Sequence, residues 1–427
     1  MGQVPLWAAL ALPAPGIAPR RPATVIPTSD RNIPATWPWN CRGFWLLGLA
    51  LLVVTRRVDA LARPQFWAED GMFYVEALAR GGQAILRPYA GYLHLGPRFT
   101  ALLATGFDPL WAPAIFSAVA TAALLAVCAL ILSERMPVSG RTWFALAVVL
   151  VPDAREVFFN VTNLQWVLAL GLIVLLLLPE PRSFASRAGD ILLVIFGGLS
   201  GPFSLLFSPF FAVQAWRKRS AWSMAMAVLI AATGAVQGWY IFHGAGATPE
   251  ETGPVILQSL PGAIGMHLGL MTFASWLPPA VSTPTVLTSL GIAAVAGLAV
   301  VLRSTAASEL RWILGAAIGL LLASAFYRCR HYLPELLVRG NGERYFYLPE
   351  IMTAWLLLAA ANSGKIWRIA ARALFSLFVL SNLLDLRFAP FVDYDWPHHA
   401  AELRAGRATS FPVNPPGMTI DVPAPDR

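Results

Sequence analysis

The sequence predicts an all-α integral membrane protein with about 11 transmembrane helices. Three observations carry that reading. Of 427 residues, 57% are hydrophobic and only 13% are charged, against about 25% charged in an ordinary soluble domain. The apolar residues fall into long continuous runs, not the alternating pattern of membrane β-barrel strands. The basic residues gather in short clusters between those runs, as cytoplasmic loops do. That clustering accounts for the formal charge of +8 without a nucleic-acid partner, which would call for a basic groove or stripe. Cys41, Cys128 and Cys329 stand too far apart for a metal or redox motif and read as structural.

Residues 1–40, rich in Pro and Ala, read as a disordered cytoplasmic tail. Their apolar piece "VPLWAALAL" lacks the basic start of a signal peptide. A polytopic domain follows over 41–386, and a short external tail over 387–427. The runs 43–61, 109–132, 142–153, 160–178, 190–201, 203–216, 221–242, 283–302, 310–327, 345–361 and 367–385 read as spans. Those at 142–153 and 190–216 fall short of the ~20 residues a bilayer asks for, which implies tilt, or breaks at Gly197–Gly198 or Gly201–Pro202. The first run is short too, with Trp37 and Trp39 placed for one interface and Arg56 and Arg57 for snorkelling.

Orientation follows from the basic loops "SERMPVSGR", "PEPRSFASR", "WRKRS", "RSTAASELR" and "NSGKIWRIAAR". With these inside, the N-terminus is cytoplasmic and the C-terminus external, in a membrane of the bacterial cytoplasmic (inner) type. Segment 254–280 then has to stay on one side. It reads as an interfacial or re-entrant helix, broken at Pro261 and at Pro278–Pro279.

The external face so defined collects four segments. They are the first loop, 62–108, the corner "PDAREVFFNVTNLQW", the loop "YRCRHYLPELLVRGNGER", and the tail after Leu386. In the first loop, "WAEDGMFYVEALARGG" has helical spacing and suggests an amphipathic helix on the membrane surface. Asp70, near its start, is either an N-cap carboxylate, a catalytic or metal-orienting acid with Glu69 beside it, or an ion-pair partner. Adjacent helical residues point about 100° apart, so one of the pair faces a cavity. Asp70 is the expected one, because Gly71 leaves room for a substrate and Tyr74 offers a sugar platform on the same side.

Further along, "RPYAGYLHLGPRF" carries Tyr92, His94 and Arg98, which are interface anchors or donors beside the acid. Glu156, Asn163 and Gln165, with Asn160, open the next run; amides at that depth bond another helix or a ligand. Arg328, Arg330, His331, Arg339 and Arg344 make the most cationic external stretch, against the positive-inside trend. An anionic ligand explains them, since Arg pairs bidentately with phosphate. Pairing with Glu335, Glu343 or lipid headgroups is the other explanation. The spans read as nearly free of acids, Asp385 near one end apart, whereas coupled transporters keep ionisable groups at mid-membrane.

There is no Walker A loop, no GxGxxG ahead of a helix and no HExxH. "WAEDGMF" after an N-in first helix, the surface helices of that loop, and "ERYFYLP" at a late helix give the chain a likeness. It resembles the polytopic C-type (GT-C) glycosyltransferases, which use polyprenyl-phosphate sugars. The likeness covers the architecture of about residues 40–390. It stops at the C-terminus, where those enzymes carry a large external domain and this chain has a short tail; there "FPVNPPGMTIDVP" reads as an extended segment that folds back. The resemblance implies Asp70 as general base with Glu69 assisting, and Arg344 with Arg328 or Arg330 on the departing phosphate. The anomeric configuration inverts. No cofactor is certain, and a divalent cation stays open. The implied partners are the lipid bilayer, a polyprenyl-phosphate-linked sugar, and a glycan, lipid or protein acceptor. The alternative is a non-catalytic membrane protein or a transporter or flippase of lipid-linked glycans, which would show a continuous polar path.

Overall fold

The computed structural model describes residues 41–244, 257–304, 308–361 and 365–422; the tail expected over 1–40 lies outside them. The described chain is mostly helical. Its main helices are α1 (Cys41–Arg56), α2 (Asp70–Arg80), α3 (Leu95–Thr105), α4 (Ala112–Ile131), α5 (Arg141–Leu150), α6 (Leu164–Leu177), α7 (Phe184–Gly198) and α8 (Phe203–Lys218). After α9 (Ala221–Phe242) come α10 (Leu260–Ala274), α11 (Pro284–Ser304), α12 (Ser308–Arg328), α13 (Arg344–Ala360), α14 (Lys365–Leu384) and α15 (Trp396–Arg404). A small sheet, β1 (Ser410–Val413) against β2 (Met418–Asp421), ends the described chain.

Each of the eleven apolar runs contains a helix. Among the described residues, five stretches are long and apolar enough to cross a membrane: Pro109–Ile131, Ala221–Phe242, Pro284–Arg303, Glu309–Arg328 and Trp367–Leu384. They mark a helical membrane protein. The shorter apolar helices sit deeper. In α6 nearly every residue from Leu164 to Leu177 is buried, the expected fate of a helix apolar on all sides. Beside it, the indole of Trp355 in α13 donates to the Phe144 carbonyl of α5 at 2.9 Å.

Two ends of the bundle differ in chemistry. At one, the basic loops meet: Arg135 donates to Asp190 at 2.7 and 2.9 Å, Lys218 to the Leu178 carbonyl, and Arg217 lies 3.7 Å from Glu309. The opposite end gathers the first loop, the corner, the 329–343 loop and the tail.

One expectation is corrected here. Arg56 and Arg57 do not snorkel. Arg56 is buried and donates to the Val149 and Val151 carbonyls at the end of α5, with its guanidinium 4.2 Å from the Phe388 ring. Arg57 donates to the carbonyls of Ala389 and Arg155. Helix-end carbonyls without intrahelical partners attract such donors. The segment expected to stay on one side of the membrane forms α10. It packs on α11, with Gly262, Gly265, His267 and Thr272 buried. Pro261 sits in its first turn, where a missing N–H costs little. A Cβ on Gly265 would fall 1.8 Å from the Leu287 carbonyl, and one on Gly291 equally close to that of Pro261, so only glycines allow this approach. Gly262 lies on Leu337, and Ser275 and Thr272 bond Ser381 and Asn382 at the end of α14. Both ends of α10 therefore meet the same end of the bundle.

The tail closes over that end. Phe388 N–H donates to the Arg56 carbonyl at 2.7 Å, and the Trp396 indole donates to the Pro109 carbonyl at 3.1 Å. The β hairpin pairs Phe411 with Ile420 and Val413 with Met418. Asn414 joins it to the first loop, bonding the backbone of Phe66, Ala68 and Val392.

Candidate functional site

The polar end brings together residues from all four segments, and it separates the acidic pair. Asp70, the first residue of α2, is buried and turns toward the corner. Its carboxylate accepts from Thr162 N–H and Thr162 Oγ1, both at 2.7 Å, and from Val161 N–H at 3.3 Å. It caps the turn of another segment, not its own helix. Nor does Gly71 leave room for a substrate: a Cβ there would lie 3.0–3.2 Å from Phe411, Ile420 and Val413 of the hairpin. Tyr74 is fully buried between Phe66 and Phe116. The face expected to meet a sugar is thus packed under the tail.

Burial outweighs the Thr162 and Val161 hydrogen bonds and pushes the Asp70 pKa from 3.8 up to about 7. A folded-state pKa above the unfolded one means the native state holds the proton more firmly. Its contribution to stability is therefore full below the unfolded value and is lost as pH rises toward about 7. Asp70→Asn should remove that fall with pH. It should also cost about 1–3 kcal/mol at low pH, because one oxygen becomes an N–H₂ facing the Val161 N–H. Thermal unfolding in detergent between about pH 4 and 7 checks this; equal slopes in variant and parent would contradict it.

Glu69 takes the position expected of Asp70. It is part-exposed, and its Oε1 accepts from the Tyr89 hydroxyl at 2.9 Å. Its charge reaches Arg344, whose guanidinium donates to Glu156 Oε2 at 3.0 Å and lies 5.0 Å from the Tyr345 ring. The Arg344 side chain is 38% exposed, and Glu156 holds one arm of its guanidinium. The Tyr92 hydroxyl faces the Gln165 amide and feels both Arg344 and Arg328. Glu69, Tyr89, Tyr92, Gln165, Arg328 and Arg344 therefore lie within electrostatic reach of one another, and this polar cluster is termed the mouth. Asn163 shapes it from behind: its amide and that of Asn160 donate to the Glu156 carbonyl at 2.8 and 2.7 Å, fixing the corner.

The other candidates are engaged by neighbouring groups. His94 is buried against Tyr92, ring centroids 4.5 Å apart, and burial pushes its pKa down to about 3, so it stays neutral. Arg98 is buried in an ion pair with Glu76 and lies over the Phe73 ring. Arg330 lies over Tyr327 and donates to its carbonyl, with half-buried His331 next in the chain. Arg339 donates to the Leu277 carbonyl. The tail also carries an Asp-x-Asp triplet, Asp393-Tyr394-Asp395. Asp393 is occupied there by the Gln65 amide and the Asp395 N–H.

The spans are not free of acids, contrary to expectation. Glu350, within the run 345–361, is fully buried beside Asp153 and His267. Buried Glu343 stands close by; burial, then the Asp153 charge, pushes its pKa up. Residues so far apart in the chain left no local motif to read. Comparison with protein-family models, with curated proteins and with solved structures returns no match in any of the three.

Proposed function

We propose that the protein is a polytopic glycosyltransferase of the C type, with eleven spans, the N-terminus cytoplasmic and the polar end external. It moves a sugar from a polyprenyl phosphate to an acceptor hydroxyl, inverting the anomeric centre. The observation that carries this reading is the pairing, in one mouth, of an accessible carboxylate with a cationic fork on a helix end. Glu69 takes the acceptor proton, in place of Asp70. The acceptor oxygen attacks the anomeric carbon, and the bond to the phosphate oxygen breaks with its electron pair leaving on the phosphate. Arg344 and Arg328 stabilise that charge where it develops. Arg344 begins α13, at the depth suited to a lipid phosphate.

The reading is tested with the full-length protein in vesicles, given a labelled polyprenyl-phosphate hexose or pentose and lipid or glycan acceptors. Label should pass from the carrier to an acceptor. Label that crosses the bilayer still attached to its carrier would identify a transporter instead. Reporter fusions should place residue 70 and Arg217 on opposite sides of the membrane; finding both on one side would overturn the orientation.

A further inference from the structure

Behind the polar mouth lies a second cluster with a different composition. Asp153 lies in the corner turn just after α5, His267 sits in α10, and Glu350 lies six residues into α13 from Arg344. All three are fully buried, and one donor atom from each lies within 4.8 Å of the other two. We propose that Asp153, His267 and Glu350 bind a divalent first-row transition-metal ion, Zn²⁺ or Mn²⁺ in class.

The arrangement of the histidine argues for it. His267 Nε2 lies 3.1 Å from the Leu336 carbonyl, a pure acceptor, so Nε2 carries a proton. Nδ1 then directs its lone pair at the Asp153 carboxylate. Two lone pairs facing one another need a proton or a cation between them. Metal-binding histidines commonly show this pattern, donating the other ring N–H to a carbonyl. The ring is held in place by Phe346, stacked 3.8 Å away at 6°. It also sits in a widened helical turn, Gly265–Met271, a distortion frequent at functional sites.

The carboxylates give an independent reason. Asp153 Oδ1 and Glu350 Oε1 are buried without a hydrogen-bond partner, which is costly for ionised groups in a dry interior. Glu343 adds a third buried acid, with Arg155 3.8 Å away and shared with Asp385. A divalent ion held by the three side chains would offset this buried negative charge. Two carboxylates with one imidazole suit a first-row ion that accepts nitrogen, such as Zn²⁺ or Mn²⁺, better than Mg²⁺ or Ca²⁺, which prefer oxygen throughout. The site is enclosed, so its role is to lock α10 to the corner and to α13, the two elements that hold Glu156 and Arg344 together.

The test is metal analysis of the full-length protein, purified in detergent with a tag free of histidine. About one equivalent of Zn²⁺ or Mn²⁺ per chain is expected, together with a lower melting temperature in 1,10-phenanthroline that added metal restores. His267→Gln and Glu350→Gln should purify without metal and melt independently of the chelator. The wild-type measurement decides even if a variant fails to fold. A metal-free wild type whose melting temperature ignores both chelator and added Zn²⁺ or Mn²⁺ would overturn the site and leave the cluster sharing protons. Because neither readout is sugar transfer, the outcome stands apart from the glycosyltransferase reading.

Discussion

Glu69→Gln should lower sugar transfer by about 10²–10⁴-fold, the usual contribution of a general base, while leaving the melting temperature close to that of the parent. Glutamine keeps the length of the side chain and an oxygen for the Tyr89 hydroxyl. It cannot take a proton from an acceptor. Substrate binding should persist, so the loss falls on kcat more than on KM. Asp70→Asn supplies the contrast. Asp70 bonds the 161–162 turn from a buried position, so its variant should lose stability first and activity only in proportion to folded protein. Turnover by Glu69→Gln at the parent rate, with Asp70→Asn folded but inactive, would return the base to Asp70.

Arg344→Lys should cost about 10²-fold or more in kcat, of the order seen when a donor to a developing anion is removed. Lysine keeps the charge and can still pair with Glu156. It gives up the planar fork that grips a phosphate with two parallel N–H groups. Arg344 also rests beside the Tyr345 ring, a contact that favours a guanidinium over an ammonium. If Arg344 only anchors the start of α13 at the membrane surface, lysine serves nearly as well. Equal turnover of parent and variant on a polyprenyl-phosphate sugar would therefore count against phosphate binding.

The helices were legible because continuous apolar runs need no tertiary information to be found. The four polar segments were legible as a group because charge in a membrane protein collects where water is. Which member of the acidic pair faces the mouth was not. Helical geometry says that Glu69 and Asp70 diverge, but the choice is made by Phe411, Val413 and Ile420, which arrive from the other end of the chain and cover the Gly71 face. The arginines show the same limit. Arg56, Arg98 and Arg344 look alike in sequence, yet one closes a helix end, one is buried on Glu76, and one stays open beside Glu156. The Asp153, His267 and Glu350 cluster joins a corner and two helices, so no spacing in the sequence announces it.

The mouth around Arg344 should receive a lipid phosphate. Photo-crosslinking with a polyprenyl phosphate that carries a diazirine next to the phosphate tests it most directly. Labelled peptides should come from the stretches containing Tyr89–Tyr92 and Arg328–Arg344, unlabelled polyprenyl phosphate should compete, and Arg344→Ala should lose the label. Labelling spread over the exposed faces of α9 and α11, without competition, would contradict it.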